Sequence, residues 1–409
     1  MRLTDYLRDN APFLTTGVML TFLSSFGQTY FISLFAGEIR LAFDLSHGAW
    51  GGIYMTGTMA SAVVMVWAGG LTDRFRVRIL APVVLAGLAL ACVAMALNPF
   101  VWALPLVVFA LRFFGQGMTS HVAVVAMARW FVATRGRALS IASLGFAMGE
   151  AFVPLAVVAA MTVLAWQSLW LLAAAICICA IPVLMRLLAK ERTPASHAAT
   201  DVSVGMQGRH WMRIDALRHP LFWCMVPAIL GPAAFNTAFF FHQVHLSEIK
   251  GIEHLVFVSF FPLYTAVGIA SMILSGWALD RIGTARLTPF YQLPMVVAFL
   301  VFAVSDGPWM LALGFVFLGL TTGANSTLPN AFWAEFYGTA HIGSIKAMAT
   351  AVMVLGSALG PGLTGVLIDQ GVGLETQFVG IAAYFVAVSV VMFLGIRRAA
   401  PDLVRTPAQ

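Results

Sequence analysis

Apolar residues run along this 409-residue chain in long blocks separated by short polar breaks. A helix that crosses a bilayer takes roughly 20 mostly apolar residues. Blocks of that kind fall at 12–36, 48–70, 79–97, 99–127, 137–163 and 167–189. After a polar stretch over 190–219, six more follow at 220–247, 254–278, 286–304, 308–333, 341–368 and 374–396. The pattern predicts an all-α membrane protein with twelve transmembrane helices in two pseudo-symmetric six-helix bundles, residues 1–189 and 220–409. The second bundle ends in a short tail, and residues 190–219 read as a linker with a short amphipathic helix around Trp211–Leu217.

Polar residues inside the blocks recur with a period of three helices. Spans three, six, nine and twelve are almost purely apolar through their middles, as lipid-facing helices should be. Spans one, four, seven and ten carry the polar side chains, which lipid cannot pair and which therefore face a bundle interior or a cavity. Gln28, Gln116, Asn236 and Asn325 each lie about 16–17 residues into their blocks, near mid-bilayer at ~1.5 Å per residue. Transporters built from repeats bind substrate at that depth, which makes these four candidate substrate ligands.

Composition strengthens the membrane reading. Hydrophobic residues make up 60% and charged residues 10%, against ~45–50% and ~25% in soluble domains. Of 23 lysines and arginines, 20 fall on one side of the predicted membrane, 2 (Arg40 and Lys250) on the other, and Arg112 lies within a span. The positive-inside rule places both termini in the cytoplasm, here of a bacterial inner membrane. Short basic loops explain the net charge of +6, so nucleic acid is not an expected partner. The four cysteines all lie in apolar blocks, which excludes a disulfide framework, and Cys177-x-Cys179 lacks further metal ligands. No metal, no cofactor and a monomer are expected. The chain carries no nucleophile–base constellation or phosphate loop, so an enzyme is not expected, and it lacks the repeated filter of an oligomeric channel.

Two charges stand well inside the blocks. Arg112 in span four and Glu150 in span five lie about 13 and 14 residues below the same surface, on helices joined by a short loop. A lone charge there costs at least ~2.5–3.5 kcal/mol, so a pair is economical. Glu150 is the candidate proton-coupling carboxyl, with Arg112 as the group through which an anionic substrate toggles it. A permanent ion pair that fixes helix packing is the alternative. His242 and His245, at i and i+3, share a face near the outer end of span seven, with His242 a candidate substrate ligand. His121 is nine residues from Arg112, about half a turn out of phase, and reads as structural.

The halves repeat. Gly69-Gly-Leu-Thr-Asp73-Arg74 after span two corresponds to Gly276-Trp-Ala-Leu-Asp280-Arg281 after span eight, with the aspartates 207 positions apart. Gly145-Phe-Ala-Met-Gly149 in span five matches Gly356-Ser-Ala-Leu-Gly360 in span eleven, small residues at i, i+4 that let helices approach closely in lipid. Paired G-x-x-x-D-R loops at these places resemble the signature of the major facilitator superfamily over essentially the whole chain. Gly283 stands where that family usually has glycine, whereas the first copy has Arg76. Leu111-Arg112-Phe-Phe-Gly115-Gln116-Gly117 is similar to the family's span-four arginine motif, and Gly356-x-x-x-Gly360-Pro361 to its glycine–proline hinge, here in span eleven. Arg129-Trp-Phe followed by Arg135-Gly-Arg137 resembles bacterial monocarboxylate and oxalate/formate porters.

The resemblance implies a secondary transporter working by alternating access. It implies Asp73, Arg74, Asp280 and Arg281 as a cytoplasmic latch, and Gly145, Gly149, Gly356, Gly360 and Pro361 as helix hinges. Arg112 and the basic inner face suggest a small organic anion, monocarboxylate-like, moved with protons. A proton-driven exporter of amphipathic compounds is the alternative.

Overall fold

A computed structural model of the chain describes residues 3–131, 134–189 and 204–403, with the backbone alone at 3–5, 73, 135 and 343. These residues are almost entirely helical. Ten helices are long and apolar enough to cross a membrane, and a bent pair, Tyr6–Gly27 with Thr29–Phe43, makes an eleventh. The apolar helix Leu293–Val304, 12 residues long, stands in the ninth place of the predicted order. Its predicted N-terminal part, from residue 286, is instead the short turn Thr284–Leu287 and a run of turns up to Gln292.

Span one departs most from expectation. Its helix starts at Leu3 instead of residue 12, passes through Pro12, and gives way to a 3-10 turn at Ser24–Gly27. Gln28 is extended (φ −83°, ψ 155°), and helix resumes through Thr29–Ile32, Ser33–Phe35 and Ala36–Phe43. Hydropathy locates the apolar part of such a helix but not its ends, because charged turns at either end continue the same backbone. Gln28 accordingly lies past the middle of the Leu3–Phe43 run, not at the centre of a 12–36 span.

The chain divides into two compact units: residues 1–199 with 240–245, and residues 200–239 with 246–409. Span seven supplies both, because its helix Pro220–Phe241 ends at His242 and restarts as Gln243–Ile249. The same pairings recur in each unit. Span two lies against span four in the first and span eight against span ten in the second, and spans three and six are matched by nine and twelve.

The stretch read as a linker is structured in its second half, while residues 190–203 lie outside the described residues. The expected short helix forms as Arg213–Arg218, with Asp215 accepting from the Met212 N–H at 3.1 Å. Met206, Trp211 and Ala216 are buried in the second unit's core with Phe332, Phe336 and Tyr337. Apolar side chains of that size bury where they can, so this half packs as part of the second bundle.

Candidate functional site

In the first unit the polar residues gather around the break in span one. Gly27 and Gly115 touch, so that a Cβ on Gly27 would overlap Leu111 O. That approach brings span four's Arg112 to the break. Arg112 is 2% exposed, and its Nη1 donates to Gly27 O at 3.2 Å and to Thr29 Oγ1 at 3.3 Å. A carbonyl at a helix break in a membrane needs a donor from elsewhere in the protein, and Arg112 supplies it. The guanidinium also lies 5.4 Å from the Tyr54 ring centroid, a cation–π contact, and the Tyr54 hydroxyl shares a 2.5 Å hydrogen bond with Thr29. Arg112 Nε has no hydrogen-bond partner, and among the described residues Arg112 makes no ion pair. The expected Arg112–Glu150 pair is therefore not formed here, since neutral oxygens and a ring take the guanidinium.

Span four accommodates this with a π-helical stretch, Arg112–Thr119, in an otherwise α-helical span. Thr119 Oγ1 donates to Phe114 O, five residues back, at 2.6 Å. Such stretches are frequent at functional sites. Gln116, within it, is exposed. His121 lies 3.2 Å from Gly69 O, a tie to the loop after span two in keeping with a structural role.

A second cluster lies on the span-five side of the same break. Tyr30 donates to Ser25 Oγ at 2.8 Å, and Gln243 Nε2 donates to Ser33 Oγ at 2.7 Å and Tyr30 O at 3.3 Å. A Cβ on Gly149 would overlap Ser25 Oγ and come within 3.1 Å of the Tyr30 hydroxyl. The next residue is Glu150, half-buried and close enough for its charge to act on Tyr30. Residues 25–30 thus touch Arg112 on one side and the Gly149–Glu150 turn on the other. His242 is buried, and the His47 ring is 6.1 Å from it and 4.2 Å from that of His245.

The second unit builds two neutral networks. Asn236 Nδ2 makes a long, 3.5 Å contact with the Tyr264 hydroxyl, which donates to Thr322 Oγ1 at 3.2 Å. Asn236 Oδ1 has no partner. Asn325 Oδ1 accepts from Tyr291 at 3.1 Å, and Gln292 Nε2 donates to the Tyr291 hydroxyl at 2.9 Å and to Ala228 O at 2.5 Å. Gln292 Oε1 has no partner.

Sequence reasoning missed Thr29, Tyr30, Tyr54, Tyr264, Tyr291 and Gln292. Tyr291 and Gln292 stand near the start of predicted span nine, whose middle reads as almost purely apolar. A usable signal was scarcity: the chain has 7 tyrosines, and four of them are in these networks. A tyrosine in a lipid-bounded helix needs a partner for its hydroxyl, so each one marks a polar neighbour.

The glycine pairs sit at close helix contacts. In the first unit, a Cβ on Gly145 would overlap Val18 O, while Thr21 Oγ1 donates to Ala142 O at 2.5 Å. In the second, a Cβ on Gly356 would come within 2.7 Å of Leu230 O and one on Gly360 would overlap Ala234 O. Both helices run unbroken, Arg135–Met161 through Pro154 and Ile342–Asp369 through Pro361. At the loops, Arg129 donates to Thr72 O and Arg74 is exposed, while Asp73 lies outside the residues whose side chains are described. Asp280 is exposed, with no ion pair among the described residues, and Arg281 lies 4.5 Å from the Trp277 ring. Gly283 takes φ +87°, a conformation that favours glycine, whereas Arg76 takes an ordinary φ of −67°.

Two units with matching helix pairings, and ten or eleven membrane-length apolar spans among the described residues, define a multi-pass membrane protein. The Major Facilitator Superfamily model matches residues 17–309, more than half of the chain, and the chain belongs to that family. Membership makes it a secondary transporter that works by alternating access on a small-molecule substrate. Among solved structures it is similar to an inward-facing, unoccupied bacterial homologue of the human lysosomal transporter Spinster. That likeness has 15% identity and a TM-score of 0.73 over 98% of this chain and 99% of that one. It is also similar to the nucleoside transporter NupG, with 13% identity and a TM-score of 0.69 over 94% and 99%. No curated protein sequence matches it.

Proposed function

We propose that this transporter moves a small organic anion of the monocarboxylate class together with protons. Arg112 is the anion-recognising group and Glu150 the proton carrier. The observation that supports this reading is a buried guanidinium whose partners are all neutral and whose Nε is unpartnered. A carboxylate exchanging for Gly27 O and Thr29 Oγ1 gives the guanidinium a counter-charge and a bidentate geometry that the neutral oxygens do not. That exchange pulls on residues 25–30, and through Ser25 and Tyr30 it alters the surroundings of Glu150. Coupling then runs through the break in span one and needs no direct Arg112–Glu150 contact. Gln28, Gln116 and His242 line the same unit as secondary ligands, and the latch and hinge roles of the paired loops and glycines belong to the same cycle.

The neutral networks of the second unit favour a second reading, an uncharged polar solute such as the nucleosides named for NupG. Proton flux in proteoliposomes separates the two, with monocarboxylates, dicarboxylates, nucleosides and amphipathic dyes added in turn. Anion-elicited proton movement that Glu150→Gln loses supports the proposal. A response confined to nucleosides moves recognition to Asn236, Asn325 and Gln292, and one confined to dyes supports an exporter.

A further inference from the structure

A cavity of about 360 Å³ lies within the second unit. One wall is the start of span seven, His219, Pro220, Leu221 and Cys224, and the other is the end of span twelve, with Val391, Leu394, Gly395 and Arg398 among its residues. Gly395 opens it, because any larger residue would meet the Cys224 side chain 2.9 Å from its Cβ. The cavity is apolar along its length and charged at one end. Val391 and Leu394 are 41% and 50% exposed, so its long side opens where the helices face hydrocarbon. Arg398 lies at the other end, in the last turn of span twelve, exposed and with no ion pair among the described residues.

The surroundings are those of a membrane–water boundary. The short helix Arg213–Arg218 leads into the cavity wall with Met212 and Ile214 exposed, beside an exposed Trp223 whose Nε1 donates to Leu217 O at 2.8 Å. Tryptophans and basic residues concentrate at that boundary. His219 is held towards its neutral form by burial, with Asp402 opposing, and Asp402 itself accepts from Gln207 Nε2 at 3.0 Å. Arg398 is therefore the permanent cation of the cavity.

We infer that this slot binds one anionic phospholipid from the leaflet that meets the basic loops. The headgroup phosphate is held by Arg398, and an acyl chain lies along Leu221, Val391 and Leu394. The slot's lining holds Arg398, the carboxylate Asp402, which is engaged by Gln207, and an apolar wall open to hydrocarbon, which fits a lipid that is already resident in the bilayer. Basic pockets between helices on the side that carries the positive loops suit such headgroups.

The test uses the full-length chain in a neutral detergent, titrated with phosphatidylglycerol, phosphatidylcholine or soluble glycerol phosphate while the unfolding temperature is recorded. Phosphatidylglycerol is expected to raise it saturably, and the other two are not. Arg398→Gln should weaken the phosphatidylglycerol midpoint by about fivefold or more, in keeping with one basic contact at a membrane surface. Arg397→Gln removes the same charge from the same turn but does not line the cavity, and should shift the midpoint less than about twofold. Leu394→Trp, which narrows the apolar wall while leaving both arginines, should weaken binding as Arg398→Gln does. Equal effects of the two arginine variants, or a Leu394→Trp variant that binds normally, overturn the site in favour of diffuse surface attraction. An equal response to glycerol phosphate overturns the lipid assignment.

Discussion

The two units repeat one plan but spend their polar residues differently. In the first, span one is broken, span four is π-helical, and a buried arginine fills the gap. In the second, span ten is one continuous α-helix, Pro308–Tyr337, and its polar contacts are tyrosine–amide networks without a charge. A neutral network can close on itself, since each hydroxyl and amide both donates and accepts. An arginine only donates, so it needs acceptors, and the break supplies two. On the proposed reading, charge recognition belongs to the first unit and neutral contacts to the second.

The largest test of that division is Arg112→Gln against Asn325→Ala. Breaking charged, buried hydrogen bonds costs about 2–5 kcal/mol, so anion uptake by Arg112→Gln should fall by roughly two orders of magnitude or more. Asn325→Ala should lose about tenfold or less. Similar losses in the two would erase the distinction. Next, Glu150→Gln should retain substrate exchange at equal pH yet lose at least about tenfold of the accumulation driven by a pH gradient, because a permanently neutral residue carries no proton. Accumulation at the wild-type level would leave Glu150 a packing residue.

Stability gives a third, smaller contrast. Gly149→Ala and Gly360→Ala both overpack a helix crossing, at about 1–3 kcal/mol. Gly360→Ala should lower the unfolding temperature more, because its new methyl meets the Ala234 carbonyl, whereas Ser25 Oγ can rotate away from residue 149. The smallest effects belong to single hydroxyls. Tyr54→Phe removes one hydrogen bond, about 1 kcal/mol or roughly fivefold in apparent KM, and Tyr291→Phe removes the bonds to Asn325 and Gln292, at about the same cost for each. Only Tyr54→Phe should act selectively on anionic cargo.

The class of fold was legible because lipid imposes it: blocks of about 20 apolar residues and loops sorted by charge leave few alternatives. The glycine pairs of spans five and eleven were legible for a related reason, since small residues at i, i+4 in a bilayer signal close approach. The ends of span one were not, because Asp5, Arg8 and Asp9 on one side and Glu38 and Arg40 on the other look like loop residues while the backbone stays helical. Nor was the pairing of Arg112. Depth along two straight helices put Glu150 beside it, but a break at Gln28 offered a nearer carbonyl and hydroxyl. Depth arguments fix a coordinate along the membrane normal and say nothing about direction around a helix.

The π-helical stretch in span four has a consequence for how this chain should be read against its relatives. A ring closed at i+5 takes up one more residue than one closed at i+4, so everything after Thr119 is turned by about one residue step, ~100°, relative to a regular helix. Span four therefore carries two azimuthal phases. A gap-free alignment with a relative whose span is regular can match the side chains before the stretch or those after it, and never both. Shortening Arg112–Thr119 by one residue should merge the phases, and His121 would then swing away from the Gly69 carbonyl while Arg112 stays at the break.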